Sequence, residues 1–236
     1  MRIRAVASYE DIERRELQGK TAIMVDALRA GATIITAVHN GCDRIVPADE
    51  PSEAAAIKRI SEGNVILCGE VDARKVSGFD LGNSPLEYTR ESVRDQVILF
   101  ATTNGSAAVR YLSSAEHVLV GTFLNASAVA RRACELGLDI VIVCAGMDGQ
   151  FSTDDALAMG CIIERILRLV PDAQMDDLAK VSLKLYKDAG PSLADALEGS
   201  ASYEFLKNLK FYDDLEYCTR EDMFEVVPEY IEGVIR

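Results

Sequence analysis

Short apolar runs rich in Val and Ile alternate with segments of helical periodicity along the first two thirds of the chain. The predicted strands are residues 21–26, 43–47, 64–70, 96–102, 117–122 and 139–145. Five of these six runs are almost continuously apolar, as expected for strands covered on both faces. The helical patterns are residues 32–40, 52–61, 84–93, 106–112, 126–136 and 153–169. This alternation predicts crossover units and an α/β fold, with a mainly parallel sheet and helices on both faces.

The pattern changes after residue 169. Residues 171–203 have amphipathic helical spacing without an obvious strand, and residues 225–228 are a candidate edge strand. A chain of 236 residues is long enough to bury one large core. We therefore predict a single α/β domain over residues 1–236, with a helical C-terminal portion that includes a candidate helical subdomain at 171–210.

The composition excludes several classes of protein. The formal net charge is −13, which argues against a nucleic-acid partner because phosphate binding needs a basic surface. No apolar stretch reaches the roughly 18 residues of a membrane span, and the N-terminus lacks the apolar segment of a signal peptide. The two histidines have no ligand spacing, so a His-rich zinc site is not expected. We expect a cytoplasmic protein with a small-molecule partner, no membrane or nucleic-acid partner, and scope for a homo-oligomer.

Most of the apolar runs end in an acid, a hydroxyl, an Asn or a Gly. Ligands of open parallel sheets bind outside the carboxyl ends of the strands, so these polar residues are expected to share one edge. They are Asp26, Glu70, Thr103, Asn104, Asn125 and Asp148. An edge with carboxylates and helix N-termini suits a metal ion and an anionic substrate.

Asp26 and Glu70 are the first candidates for chemistry. A carboxylate at the end of an apolar strand is costly unless it is paired or metal-bound, so Asp26 is either a metal ligand, a phosphoryl-accepting nucleophile or the ion-pair partner of Arg29. Glu70 is a second magnesium ligand, a general base or a simple rim acid. If Arg29 grips an anion instead, Arg29→Lys should lower catalytic efficiency about tenfold to a hundredfold and leave thermal stability nearly unchanged.

Two loops and one helix start supply further candidates. Asp80 and Asn83 lie in a Gly- and Pro-containing segment at 78–85, although a loop without function would look the same. The turn at 102–106 joins a strand to a helix, and it either binds an anion through backbone N–H groups or is a plain cap. Asp155 falls in the first turn of a helix, where an acid also helps through the helix dipole alone.

Seven segments resemble the 2-phosphosulfolactate phosphatase family, and together they cover nearly the whole chain. They are ValAspAlaLeuArgAla at 25–30, GlyGlu at 69–70, GlyPheAspLeuGlyAsnSerPro at 78–85, ThrThrAsnGlySer at 102–106, CysAlaGly at 144–146, PheSerThrAspAsp at 151–155 and TyrCys…Asp…ValValPro at 217–228. Their order and spacing are specific as a set. The chain departs from the family where Val71 replaces a frequent Arg and where residues 200–203 lack a His that many members carry.

The resemblance implies a magnesium-dependent phosphatase. It would hydrolyse 2-phospho-3-sulfolactate to 3-sulfolactate and phosphate, a step of coenzyme M biosynthesis in some organisms. The expected catalytic residues are Asp26, Arg29 and Glu70, and the expected Mg²⁺ ligands are Asp26, Glu70 and Asp155. The expected substrate-binding residues are Asp80, Asn83, Thr102, Thr103, Asn104, Gly105, Ser106 and Asn125.

Two alternatives remain open at this point. A haloacid-dehalogenase-like phosphatase of another phosphorylated hydroxy acid also begins with an Asp at a strand end, but it needs a second Asp two residues later, where this chain has Leu28. A non-catalytic anion-binding α/β domain would use the acids only as helix caps. The sequence does not distinguish direct attack by water from an acyl phosphate on Asp26.

Overall fold

The computed structural model describes residues 1–147 and 149–236, so the predicted edge residue Asp148 lies outside the described residues. The strands are β1 (Arg2–Val6), β2 (Thr21–Val25), β3 (Arg44–Ala48), β4 (Val65–Val71), β5 (Arg74–Lys75), β6 (Val97–Ala101), β7 (His117–Val120), β8 (Ile140–Cys144), β9 (Gln174–Met175), β10 (Tyr230–Ile231) and β11 (Val234–Ile235). The helices are α1 (Ala30–His39), α2 (Pro51–Ile60), α3 (Arg90–Val93), α4 (Gly105–Tyr111), α5 (Ala126–Leu136), α6 (Thr153–Leu169), α7 (Asp177–Asp188), α8 (Leu193–Ala196), α9 (Ala201–Asn208) and α10 (Tyr212–Cys218).

The strands form two sheets rather than one. The first sheet has the order β7-β2-β8-β1-β9, and all of its pairings are parallel. The second has the order β10-β11-β3-β6-β4-β5, with parallel pairing among β3, β6 and β4 and antiparallel edges. The predicted α/β class with mainly parallel strands is confirmed. The division into two sheets was not predicted, because apolar periodicity does not state which strands pair.

Alternate side chains of the strands enter different cores. Ala22 and Met24 of β2 belong to the cluster that also holds Ile98 of β6, so this core lies between the two sheets and includes residues of α1 and α4. Ile23 and Val25 face the opposite way, into a cluster with α5 and α6. The first sheet is therefore covered on both faces, which explains why its strands read as continuous apolar runs.

Several predicted elements are corrected by the structure. The single helix predicted at 84–93 is instead a 3-10 turn at Pro85–Glu87 and the short helix α3. Tyr88 and Thr89 lie between the two and are not helical. The strand predicted at 225–228 lies further on, in the antiparallel pair of β10 and β11. Strand β1 was missed because Arg2 and Arg4 interrupt its apolar pattern, and β9 lies where no strand was expected.

The C-terminal portion is helical, as predicted. Helix α7 crosses α6 closely at Gly160. A Cβ at this position would lie 2.0 Å from the carbonyl oxygen of Ser182, so only glycine leaves room for the crossing. The separate helical subdomain at 171–210 stays a prediction. Within the two described ranges, no helix combines the length and the apolar character required to cross a membrane.

Candidate active site

A cavity of about 280 Å³ lies where the carboxyl ends of strands from both sheets meet. Asp26 reaches it from the end of β2 in the first sheet, whereas Glu70 reaches it from β4 and Thr103 from the end of β6 in the second sheet. The structure therefore brings these three residues together as predicted, but the edge that they share is built by two sheets.

Asp26 is a buried carboxylate on the cavity wall. It is only 8% exposed, and its Oδ1 accepts a hydrogen bond from the backbone N–H of Ala30 at 2.9 Å. Burial, together with the nearby Asp154, raises the pKa of Asp26 to about 7. Its Oδ2 lies against Gly105, where an added Cβ would come within 2.8 Å of that oxygen. Gly105 thus leaves space for this carboxylate and does not itself line the cavity, and its substrate-binding role stays a prediction.

Asp154 is a site residue that the sequence analysis did not select. It is 2% exposed, lines the cavity and accepts a hydrogen bond from the hydroxyl of Ser152. Burial raises the pKa of Asp154 above its ordinary value. The signal available in the sequence was weak, because an acid in the first turn of a helix is favoured by the helix dipole alone.

Asp155 lines the same cavity, and each of its carboxylate oxygens accepts one backbone hydrogen bond. Oδ1 accepts from the backbone N–H of Ala27 at 2.8 Å, and Oδ2 accepts from that of Gly146 at 3.1 Å. Burial and the neighbouring Asp154 raise its pKa well above the usual range. These bonds tie α6 to the strand ends. Each oxygen keeps a further lone pair, as Oε2 of Glu70 does, and the role of Asp155 as a metal ligand stays a prediction.

Glu70 is fixed in place by three hydrogen bonds. Its Oε1 accepts from the N–H of Thr103 at 2.9 Å and from the hydroxyl of the same residue at 3.0 Å, and its Oε2 accepts from the N–H of Ala73 at 2.7 Å. The preceding Gly69 has a φ of +145°, and a Cβ there would lie 1.9 Å from the carbonyl oxygen of Ala101. The Gly-Glu pair therefore has a steric reason: only glycine lets β4 approach β6 where Glu70 is presented.

Arg29 lines the cavity as predicted, but its partner differs from the expected one. Its Nη1 donates to Oδ2 of Asp214 at 2.5 Å, and its Nη2 donates to the carbonyl of Ala73 at 2.8 Å. Its guanidinium carbon lies 4.2 Å from the ring centroid of Phe211. The proposed ion pair with Asp26 is thus replaced by a buried pair with a residue 185 positions away, a separation no local spacing rule can bridge.

The loop at 78–85 contributes one of its two predicted residues. Asn83 lines the cavity at 7% exposure, and among the described residues its Oδ1 has no hydrogen-bond partner. Asp80 does not line the cavity. Its carboxylate accepts from Lys58 at 2.9 Å and from the N–H of Leu67 at 2.8 Å, so it serves to hold the loop.

The turn at 102–106 is divided in the same way. Thr102, Thr103 and Asn104 line the cavity. Ser106 does not, because it is fully buried and its hydroxyl donates to the carbonyl of Phe100 at 3.0 Å.

Asn125 is a structural residue. It is fully buried, and its side-chain oxygen accepts from the N–H of Thr122 at 3.0 Å. Its side-chain nitrogen donates to the carbonyls of Val120 and Val226, at 3.1 and 3.0 Å. It does not line the cavity, which argues against its predicted substrate-binding role: Asn125 links the end of β7 to the C-terminal tail.

The carboxylates of the cavity favour a cation without forming a complete protein cage. In the part of the chain that the structure describes, no group of three His, Cys, Asp or Glu side chains is arranged to hold a metal. Mg²⁺ usually takes one or two protein carboxylates and completes its shell with waters and substrate phosphate. The mutual repulsion of Asp26, Asp154 and Glu70, which contributes to the raised pKa of Asp26, is what a divalent cation would relieve. The donor set fits Mg²⁺ on these grounds.

The two-sheet α/β fold has a buried acidic cavity at its strand ends, which is where enzymes of this class bind small substrates. A family model described as 2-phosphosulpholactate phosphatase matches residues 6–233. The chain belongs to the 2-phosphosulfolactate phosphatase family, which confirms the resemblance seen in its motifs and decides against the haloacid-dehalogenase and non-catalytic alternatives.

Similar proteins cover the chain from end to end. The probable 2-phosphosulfolactate phosphatase of Clostridium kluyveri is 38% identical over 236 residues, which is 100% of this chain and 98% of that protein. The protein with the same name from Caldanaerobacter subterraneus subsp. tengcongensis is 39% identical, with 100% and 98% covered. That from Clostridium acetobutylicum is 36% identical, and both chains are covered completely.

Proposed function

We propose that this protein is a magnesium-dependent phosphatase that hydrolyses 2-phospho-3-sulfolactate to 3-sulfolactate and phosphate, and that it serves coenzyme M biosynthesis or a pathway of similar sulfonates. The observation that carries the proposal is the meeting of Asp26, Glu70 and Arg29 in one cavity, each from a segment that matches the family. The cavity volume of about 280 Å³ suits a small substrate.

The residues of the cavity would have different roles in the reaction. Asp26, with Asp154 and Glu70 beside it, would hold Mg²⁺, and the ion would supply positive charge to the phosphate and lower the pKa of a water molecule. Glu70 is oriented by Thr103 and Ala73, and Arg29 is oriented by Asp214. Both therefore meet the substrate without a prior change of rotamer, and such preorganisation is the main source of electrostatic catalysis.

The proposal is tested by phosphate release from 2-phospho-3-sulfolactate. We expect turnover in MgCl₂, loss of turnover in excess EDTA, and recovery when Mg²⁺ is restored. 2-Phospholactate, which lacks the sulfonate, is the matched control substrate and should be hydrolysed less efficiently. Full activity in EDTA would contradict the role of magnesium, and a preference for 2-phospholactate would contradict the substrate. The cytoplasmic location and the homo-oligomer stay predictions.

A further inference from the structure

Asp214 is a buried acid outside the cavity that bonds to residues on its wall. It lies in α10, is 3% exposed and does not line the cavity. Its Oδ2 accepts from Nη1 of Arg29 at 2.5 Å, and its Oδ1 accepts from the hydroxyl of Ser84 at 2.6 Å. One carboxylate thus joins the start of α1, the loop before the 3-10 turn at Pro85–Glu87 and the C-terminal helix α10.

Arg29, which Asp214 holds in place, keeps free N–H donors at the cavity. A guanidinium has five N–H donors, and the bonds to Asp214 and Ala73 use two of those of Arg29. The Oδ1 of Asn83, next to Ser84, also has no partner among the described residues, but an amide oxygen accepts hydrogen bonds and does not donate to an anion. The charged donors on this side of the cavity are therefore those of Arg29.

The charges around the cavity favour the side of Arg29 for a second anion. Among the described lining residues the acids are Asp26, Glu70, Asp72, Asp154 and Asp155, and Arg29 supplies the positive charge. A cation on the acidic side attracts the phosphate. A second anionic group of the substrate is repelled by the acids and is stabilised by the charged N–H donors of the guanidinium.

We infer that Arg29 forms a subsite for the second anionic group of the substrate, a sulfonate or a carboxylate, and that Asp214 is the positioning residue of this subsite. The inference rests on the proposed function and assigns its substrate preference to named residues. Asp214 fixes the plane of the guanidinium, and the bond from the Ser84 hydroxyl in turn fixes the carboxylate of Asp214. A fork of N–H donors held in one plane binds oxyanions far better than a mobile one.

The test measures binding without catalysis. Isothermal titration with 3-sulfolactate is applied to the wild type, to Asp214→Asn and to the control Asp213→Asn, which removes an exposed acid from the same helix. We expect the affinity to fall about tenfold or more in Asp214→Asn, as for the loss of one charged hydrogen bond, and to be unchanged in Asp213→Asn. Unchanged affinity in a folded Asp214→Asn protein overturns the inference.

Two further probes identify the anionic group. Lactate carries only a carboxylate, and 2-hydroxyethanesulfonate carries only a sulfonate. The probe whose affinity falls with that of 3-sulfolactate in Asp214→Asn names the group that the subsite binds. Equal retention of both, together with retained binding of 3-sulfolactate, shows that Asp214 is a scaffold residue only.

A second variant covers the case in which Asp214→Asn does not fold. Ser84→Ala keeps the ion pair with Arg29 and removes only the bond to Oδ1, so it should fold and still weaken binding of 3-sulfolactate. In kinetics we expect the KM for 2-phospho-3-sulfolactate to rise more than kcat falls, whereas a merely structural change would lower the amount of active enzyme and leave KM unchanged. An unchanged KM and affinity in Ser84→Ala contradicts the inference.

The two proposals fail in different ways. If the wild type releases no phosphate from 2-phospho-3-sulfolactate, the proposed function fails, while binding of 3-sulfolactate still judges the subsite. If phosphate is released and the Asp214 and Ser84 variants keep wild-type KM and affinity, only the subsite fails.

Discussion

At the scale of single residues, the site consists of charged groups held away from water. Asp26, Asp154 and Arg29 are each less than a tenth exposed. Burial of a carboxylate beside other carboxylates disfavours its charged form, which is why the pKa of Asp26 is raised. A protein retains such an arrangement when a cation or a reaction compensates for it, and this is the physical basis for treating Asp26 as the central residue.

Asp26→Asn should abolish phosphatase activity and leave the protein folded. The amide has the same size and keeps an oxygen for the N–H of Ala30, but it is a poor magnesium ligand and not a nucleophile. Phosphate release at saturating MgCl₂ and the far-UV circular dichroism spectrum provide the measurement. Wild-type turnover in the variant would remove Asp26 from both roles.

Stability without metal should depend on pH through the same residue. The pKa of Asp26 is about 7 in the folded protein, against 3.8 for an aspartate in water, so between these values the folded form keeps a proton that the unfolded form has lost. Its contribution to stability is therefore lost as pH rises from about 4 to about 7. Urea unfolding in EDTA should show Asp26→Asn gaining stability relative to the wild type as the pH is raised through this range. A constant difference would contradict the raised pKa.

Arg29→Lys should lower both catalytic efficiency and thermal stability. The local sequence predicted a loss of activity alone, but the guanidinium lies in a buried pair with Asp214 and bonds to Ala73. Lysine keeps the charge but not the planar fork. We expect the predicted tenfold to hundredfold loss in kcat/KM together with a Tm decrease of about 2–4 °C for each kcal/mol lost. An unchanged Tm would mean that the pair contributes little to folding.

At the scale of elements, the site is made by strand ends that approach each other closely. The turn after β6 brings α4 against the start of α1, and Gly105 is the contact point: a Cβ there would lie 2.6 Å from the Cβ of Ala30 as well as close to Asp26. The glycines of the motifs are thus spacing devices, whereas the acids beside them carry the chemistry.

Gly105→Ala should reduce activity by at least about tenfold, because the added methyl group displaces either α4 or the Asp26 carboxylate, and small misplacements of catalytic groups are costly. Ala107→Ser, on the same helix and outside the cavity lining, is the control. Steady-state kinetics of both variants check the prediction. Equal activity of the two would show that the turn relaxes without moving Asp26.

At the scale of the whole molecule, the chain passes back and forth between the two sheets. Strands β1 and β2 belong to the first sheet, β3 to β6 to the second, β7 to β9 to the first, and β10 and β11 to the second. The core between the sheets contains residues from both. Neither sheet is made by a continuous half of the chain, so the structure favours one cooperative unit.

We therefore expect a single unfolding transition for residues 1–236. Urea unfolding curves followed by far-UV circular dichroism and by tyrosine fluorescence should coincide. A separate early transition with loss of helix signal would instead support an independent helical subdomain at 171–210. Removal of residues 171–236 should prevent folding, because Asp214 and β11 are then missing from both the site and the second sheet.

The sequence by itself determined the kinds of element and the chemistry at their ends. Period and composition are local properties, so the apolar runs of β2, β6 and β8 were predicted closely, and the motifs placed Asp26, Glu70 and Thr103 at strand ends. They also identified the family through their order. Asp80 and Asn125 were selected by the same reasoning from local sequence. That reasoning does not distinguish a residue that holds a loop in place from one that contacts a ligand.

The tertiary structure alone decided which strands pair, which polar residues face the cavity and which polar residues form structural hydrogen bonds instead. Asp214 meets Arg29 across 185 positions. The neighbours Asp154 and Asp155 both line the cavity, but Asp155 bonds to backbone N–H groups and Asp154 to a hydroxyl. Such contacts depend on how distant segments pack. Hydrophobic burial drives this packing but is non-directional, so a local apolar pattern does not show which segments meet. The fold class is therefore encoded locally, whereas the selection among candidate site residues is a property of the assembled molecule.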